Sequence, residues 1–269
     1  MATTRDFLYK FRRAQSHLDD LNVKVDKWLK DSFRTITHEK HPDRPGYFIA
    51  YVDIDAVPID PLVLLIGDVL HNLRGTLDHL AYTLAEKYSG LPLSYQVAKD
   101  SEFPIFGDAR SEGISGVEKR YAAPFVAKIG SIDPLAQAII KKAQPYQRGN
   151  KFASHPLWML QELSNFDKHR LLLTGAVHTF TAMFPQKKRD NFTLGEAIVK
   201  EGYLEGKTEI VTYSGWPTDP SKEMHVELIP VIEVVFRCGS AFDGVSVHLT
   251  LLEILKQTAT IITDLDNFL

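Results

Sequence analysis

A chain of 269 residues that is 44% hydrophobic and 24% charged can bury a substantial core, which excludes disorder over any long stretch. A formal net charge of −3 excludes broad electrostatic coating of nucleic acid, and the clearest basic cluster, Lys187-Lys188-Arg189, reads as a solvated loop. The single cysteine, Cys238, excludes an internal disulfide and any multi-cysteine metal site. Following Val234-Val235-Phe236, it is expected as a small buried side chain rather than a nucleophile.

The opening residues, Met1 to Asp6, form no apolar leader. The strongest apolar run, Pro61 to Leu70, is interrupted by Asp68 and followed at once by His71, Asn72 and Arg74. It is too short to span a bilayer. The expectation is a cytoplasmic protein with no membrane partner and no cofactor.

Apolar residues at Phe7, Phe11, Ala14, Leu18, Leu21, Val25 and Leu29 recur at spacings of three and four and predict a helix from Thr4 to Phe33, with Thr4 as its N-cap. Arg34–His38 and Tyr47–Asp53 are rich in β-branched and aromatic residues and predict a hairpin around the proline-bounded loop His41–Gly46. Asp60 is placed to cap a second helix, Pro61–Tyr88, stopped by Ser89-Gly90 and Pro92. A long loop follows, in which Glu102-Phe-Pro-Ile-Phe106 is expected to tuck two aromatics against the core. Further helices are predicted at Ser115–Ile129 and Pro134–Ala143, then a turn at Gln147–Asn150, then a helix from Pro156 to Arg170. Leu171–Thr181, Phe192–Val199, Thr208–Tyr213 and Val226–Arg237 read as strands, with Pro230 marking the last as an edge or bulged strand. A closing helix, Val245–Phe268, should turn Val247, Leu251, Ile254, Leu255, Ala259, Ile262 and Leu265 inward.

The sum is an α+β fold: mainly a helical bundle, with an antiparallel sheet formed by the early hairpin and the late strands. One interleaved domain over residues 1–269 is expected, helical at 1–33 and 56–170, strand-rich at 34–55 and 171–240, and closed by the helix at 245–268.

Two helices carry the polar chemistry. On the first, Leu62, Ile66, Val69, Leu73, Leu77, Leu80 and Leu84 form an apolar stripe widened by Leu65, Leu70 and Ala81. His71, Gly75, Asp78 and Tyr82 lie opposite, and Asn72 and His79 share a flank with Asp68 and Glu86. Arg74 and Asp78, at i and i+4, can form an ion pair. Gly75 in mid-helix implies close approach by another helix or a ligand. On the second helix Glu162, Asn165 and His169 share one side, with Leu157, Leu160, Leu163 and Phe166 apolar. Asp167-Lys168-His169-Arg170 closes it, and its cations suit the negative end of the helix dipole. Histidine, asparagine, arginine and carboxylate are the residue types of acid–base work and anion binding.

Metal ligands on one helix are expected at i and i+3 or i+4. His71 with Asp78, and Glu162 with His169, are each seven apart. Two turns separate such side chains by about 10 Å, too far to share one ion. One residue from each helix, such as His71 with His169, could still combine.

The stretch Leu73-Arg74-Gly-Thr-Leu-Asp78-His79 resembles the arginine-x4–6-histidine signature of HEPN proteins, helical-bundle proteins of toxin–antitoxin, CRISPR and phage-defence systems. The resemblance covers one helix. It implies a metal-independent endoribonuclease acting on RNA as a homodimer, with the motifs of two subunits facing each other. Carried over, Arg74 would stabilise the phosphoryl charge and His79 would transfer protons, supported by Asn72 and Asp78. His71, Tyr82, Glu162, Asn165 and His169 would then be binding residues. The flanking polar residues and extra strands suggest a bacterial or phage-encoded family. Two other readings stand beside this one: a non-catalytic binding or regulatory protein with a buried polar network, and a metal-dependent hydrolase using His71, Asp78, Glu162 and His169.

Overall fold

A computed structural model describes residues 6–90, 93–107, 113–169, 174–181, 192–200, 202–217, 229–239 and 241–269. The chain is α+β, with seven α-helices and six strands among these residues: α1 Phe7–Ser32, β1 Phe33–Lys40, β2 Tyr47–Ile54, α2 Ile59–Ser89, α3 Tyr95–Asp100, α4 Gly113–Ile129, α5 Pro134–Lys142, α6 Pro156–His169, β3 Thr174–Thr181, β4 Phe192–Val199, β5 Gly206–Pro217, β6 Ile229–Phe236 and α7 Val247–Leu265. It folds as two compact units. The first comprises Met1–Leu21, Val63–Leu172 and His248–Leu269; the second comprises Asn22–Leu62 and Leu173–Val247.

The first unit is helical. Every residue of the apolar stripe of α2 is at most 2% exposed from Leu62 to Leu84, as a helix mostly enclosed by neighbours requires. Ser89 ends α2 and Gly90 follows at φ 78°, the left-handed conformation that glycine supplies at no steric cost. Asp60 lies inside the first turn, since α2 begins at Ile59. There its carboxylate favours the helix dipole instead of acting as the cap.

The long loop after α2 contains one short helix. Ser94 caps α3, its Oγ accepting from the Val97 amide at 3.3 Å. Phe103 and Phe106 are buried as expected, and a fully buried glutamine holds their segment. The Gln144 side chain donates to the Pro104 and Ile140 carbonyls and accepts from the Phe106 amide at 3.0 Å. Phe106 stacks on Tyr121 of α4 with ring centres 4.2 Å apart. The stretch read as a turn at Gln147–Asn150 sits in a 3-10 helical segment, Pro145–Ser154, broken where Gly149 adopts φ 54°.

On α7 the buried positions are Val247, Leu251, Ile254, Thr258, Ile261 and Leu265. The sequence spacing placed Leu255, Ala259 and Ile262 inward, but these are half-buried. Thr258 tolerates full burial because its hydroxyl donates to the Ile254 carbonyl at 2.9 Å. Polar identity alone had disguised it.

The second unit holds the strands. The β1–β2 hairpin joins β5 and β4 in a four-stranded antiparallel sheet of order β1-β2-β5-β4. The other two late strands pair with each other, Thr174 opposite Phe236 and Thr181 opposite Ile229. The late strands thus divide between two sheets, where the sequence suggested one. Pro230 lies in β6, which has a single strand neighbour among the described residues, the setting that a residue without an N–H requires. In α1, Trp28 is buried where the sequence spacing favoured Leu29. Its indole N–H donates to the Ala56 carbonyl at 3.2 Å, giving a large ring the polar partner that burial demands. Cys238, expected buried, is half-exposed. Thr4, Pro92, Arg170 and Lys187-Lys188-Arg189 lie outside the described residues.

No helix among the described residues is long and apolar enough to cross a membrane.

Candidate functional site

The polar residues of α2 and α6 meet along a seam within the first unit, and its two ends differ. At one end Arg74 and Asp78 form the ion pair expected of their spacing, with Nη2 3.0 Å from Oδ1 and Nε donating to Oδ2 at 3.2 Å. Arg74 Nη1 donates to Gln161 Oε1 of α6 at 3.1 Å, and Nη2 donates to the Phe103 carbonyl at 2.9 Å. Asp78 Oδ1 in turn accepts from the Phe103 amide at 3.1 Å. The pair therefore satisfies both backbone groups of Phe103 and ties α2 to α6 and to the 101–107 segment.

More charges surround this tie. Glu102 lies 4.0 Å from Arg74 Nη2 and forms an ion pair with Lys128 of α4. Burial first, and then the nearby Arg74 guanidinium, lowers the Lys128 pKa, while Asp78 and Asp100 oppose the shift. Glu102, Lys128 and Gln161 were not singled out from sequence. Their partners lie tens of residues away, and no local spacing signals such contacts.

At the other end of the seam, Asp167 of α6 sits against Gly67 of α2. Its two carboxylate oxygens are each 3.1 Å from where a Gly67 Cβ would stand. Burial and the neighbouring Asp68 carboxylate raise the Asp167 pKa, and His71 pulls it down. Asp68 and His71 are both exposed. Gly67 could have been flagged from sequence by the same mid-helix argument applied to Gly75. At Gly75 the close neighbour is Lys10 of α1, whose Cδ is 3.2 Å from the would-be Cβ. Another helix is therefore what approaches that face.

The remaining candidates stand apart from these two groups. His79 is exposed. Its backbone carbonyl accepts from Thr83 Oγ1 at 2.8 Å. Asn72 is half-buried and donates to the Asp68 carbonyl at 2.7 Å, one turn back along its own helix. Tyr82 pairs with Glu86; burial and then that carboxylate raise its pKa. Glu162 is half-buried and Asn165 exposed. His169 ends α6, and its side chain lies outside the described residues. Among the described residues, no three of His, Cys, Asp and Glu converge where a metal ion could be held.

The N-terminal end of α6 holds a histidine that sequence spacing did not single out. His155 is 6% exposed, and its Nδ1 accepts from the Leu157 amide at 3.1 Å, capping the helix. Burial, with Arg148 nearby, lowers its pKa to about 4. An Nδ1 that accepts a hydrogen bond requires the neutral ring, so cap and pKa agree.

No protein-family model, curated protein or solved structure matches this chain. Function is therefore read from side-chain geometry.

Proposed function

We propose that the chain is a non-catalytic binding or regulatory protein in which Arg74 and Asp78 are structural. The observation that carries this reading is the engagement of the guanidinium: Nε, Nη1 and Nη2 each donate to a group of the protein itself. An arginine that stabilises a transferring phosphoryl group must present donors to it. Arg74 and His79 are also five residues apart on a continuous helix, which separates their directions by about 140°. The reading predicts that purified protein leaves RNA intact in EDTA and that Asp78→Ala lowers the melting temperature. RNA cleavage in EDTA that disappears in His79→Ala would overturn it.

The exposure of His79, with Asn72 on the same flank two turns earlier, favours a second reading. Here the chain is a cytoplasmic, metal-independent endoribonuclease resembling HEPN proteins, and a second copy of the chain completes the site around His79. That reading requires a homodimer in solution.

A further inference from the structure

The Gly67–Asp167 end of the seam carries polar groups that the Arg74 tie does not use. Two contacts fix how α2 and α6 run: Gly67 against Asp167, and Arg74 bonded to Gln161. The helices are therefore antiparallel, and Ser164, midway between Gln161 and Asp167, faces the middle of the Gly67–Arg74 stretch. Helical rotation supports this placement, because Ser164 falls within about 60° of both Gln161 and Asp167 around α6. On α2, His71 lies within about 60° of Gly67 and Arg74. Ser164 thus stands across from Leu70 and His71.

Ser164 is 8% exposed, and its hydroxyl has no hydrogen-bond partner among the described residues. A buried unpaired hydroxyl is disfavoured unless something completes it. Beside it are the Asp167 carboxylate and, toward solvent, the exposed Asp68 and His71. Asp167 and Asp68 have no ion pair with a lysine or arginine among the described residues, and Asp167 is held above the usual carboxylate range by burial and by Asp68.

We propose that Asp68, His71, Ser164 and Asp167 form a binding site for an organic cation bearing N–H donors, a guanidinium or primary ammonium group. Carboxylates, a hydroxyl and a neutral imidazole all accept hydrogen bonds, and such cations are pure donors. The acceptors do not converge as a metal ion requires. A guanidinium instead spreads its five N–H groups over a planar fork and can meet separated acceptors. His71 and Asp68 at the exposed edge leave the site open to solvent.

This inference rests on the binding-protein reading and names a ligand class for it. The test titrates the full chain by calorimetry with agmatine, with a Gly-Arg-Gly peptide and with tetramethylammonium, which has charge but no N–H donor. Saturable binding of agmatine or the peptide is expected, with no binding of tetramethylammonium. Asp167→Asn should weaken it about tenfold or more, as loss of a charged hydrogen-bond partner does, and Ser164→Ala should weaken it less. Preference for the peptide would assign the cation to an arginine of a protein partner; preference for agmatine would assign it to a free amine. Should Asp167→Asn not fold, Asp68→Asn and Ser164→Ala carry the same comparison. Absence of binding by both probes, equal binding of tetramethylammonium, or undiminished binding by folded variants would overturn the site. The RNA assay in EDTA is separate, so failure here is distinguishable from failure of the binding-protein reading.

Discussion

At the Arg74 end of the α2–α6 seam, opposite charges and backbone groups satisfy one another; at the Gly67 end, a carboxylate is pressed against helix backbone beside a second carboxylate. Both ends use aspartate, and both lie on one helix pair. The difference lies in what faces the carboxylate. Asp78 meets a guanidinium and an amide, whereas Asp167 meets Asp68 and the exposed His71. A half-buried carboxylate with matched donors stabilises a fold, and one facing another carboxylate stores unfavourable electrostatics that a ligand can relieve.

The sharpest way to break this comparison is at the matched end. Asp78→Ala removes the acceptor of Arg74 and of the Phe103 amide, leaving both unpaired in a half-buried setting. Destabilisation of about 3 kcal/mol is expected, by chemical denaturation. A loss under about 1 kcal/mol would show that the pair is screened like a surface ion pair.

Acid should separate the two ends by sign. His155 has a folded pKa of about 4 against 6.5 for the ordinary group. Between those values the unfolded chain binds the proton and the folded chain does not, so stability falls as pH drops through that window. The full effect is roughly 2–3 kcal/mol, and His155→Asn should flatten that part of the stability–pH curve. Asp167 acts in the opposite direction. Its raised pKa means that the folded state holds its proton more tightly, so its contribution is favourable in acid and is lost as pH rises through the folded value. Asp167→Asn should abolish that loss without touching the His155 window.

The smallest effects come from the two glycines. Gly67→Ala forces a methyl to about the position where the Asp167 oxygens sit at 3.1 Å, and should cost about 1 kcal/mol despite the gain in helix propensity. Gly75→Ala meets only the flexible stem of Lys10, which can move aside. It should stabilise the protein by up to about 1 kcal/mol. Thermal melts of the two variants give the contrast directly, and a shared sign would remove the distinction between the two close approaches.

Sequence periodicity located most of the elements because burying a helix face or a strand leaves a local trace. The apolar stripe of α2, the hairpin, the buried Phe103 and Phe106, and the Arg74–Asp78 pair were all legible in this way. Short elements were missed where composition looked like loop: α3 and the 3-10 segment Pro145–Ser154 depend on caps and on tertiary partners such as Gln144. Thr258 and Trp28 were misplaced because each needed a specific hydrogen bond to be buried, and a carbonyl partner is not visible in residue type.

The sequence by itself determined that α2 carries a polar face holding His71, Arg74 and Asp78, because a 3.6-residue repeat assigns faces without reference to the rest of the chain. Only the tertiary structure decided which of those groups are matched. Phe103, Gln161 and Lys128 reach the Arg74 end from distant segments, while Asp167 meets Asp68 and His71 at the Gly67 end. Charge pairing across a packed interface depends on how two helices are registered, and that register is set by the whole core.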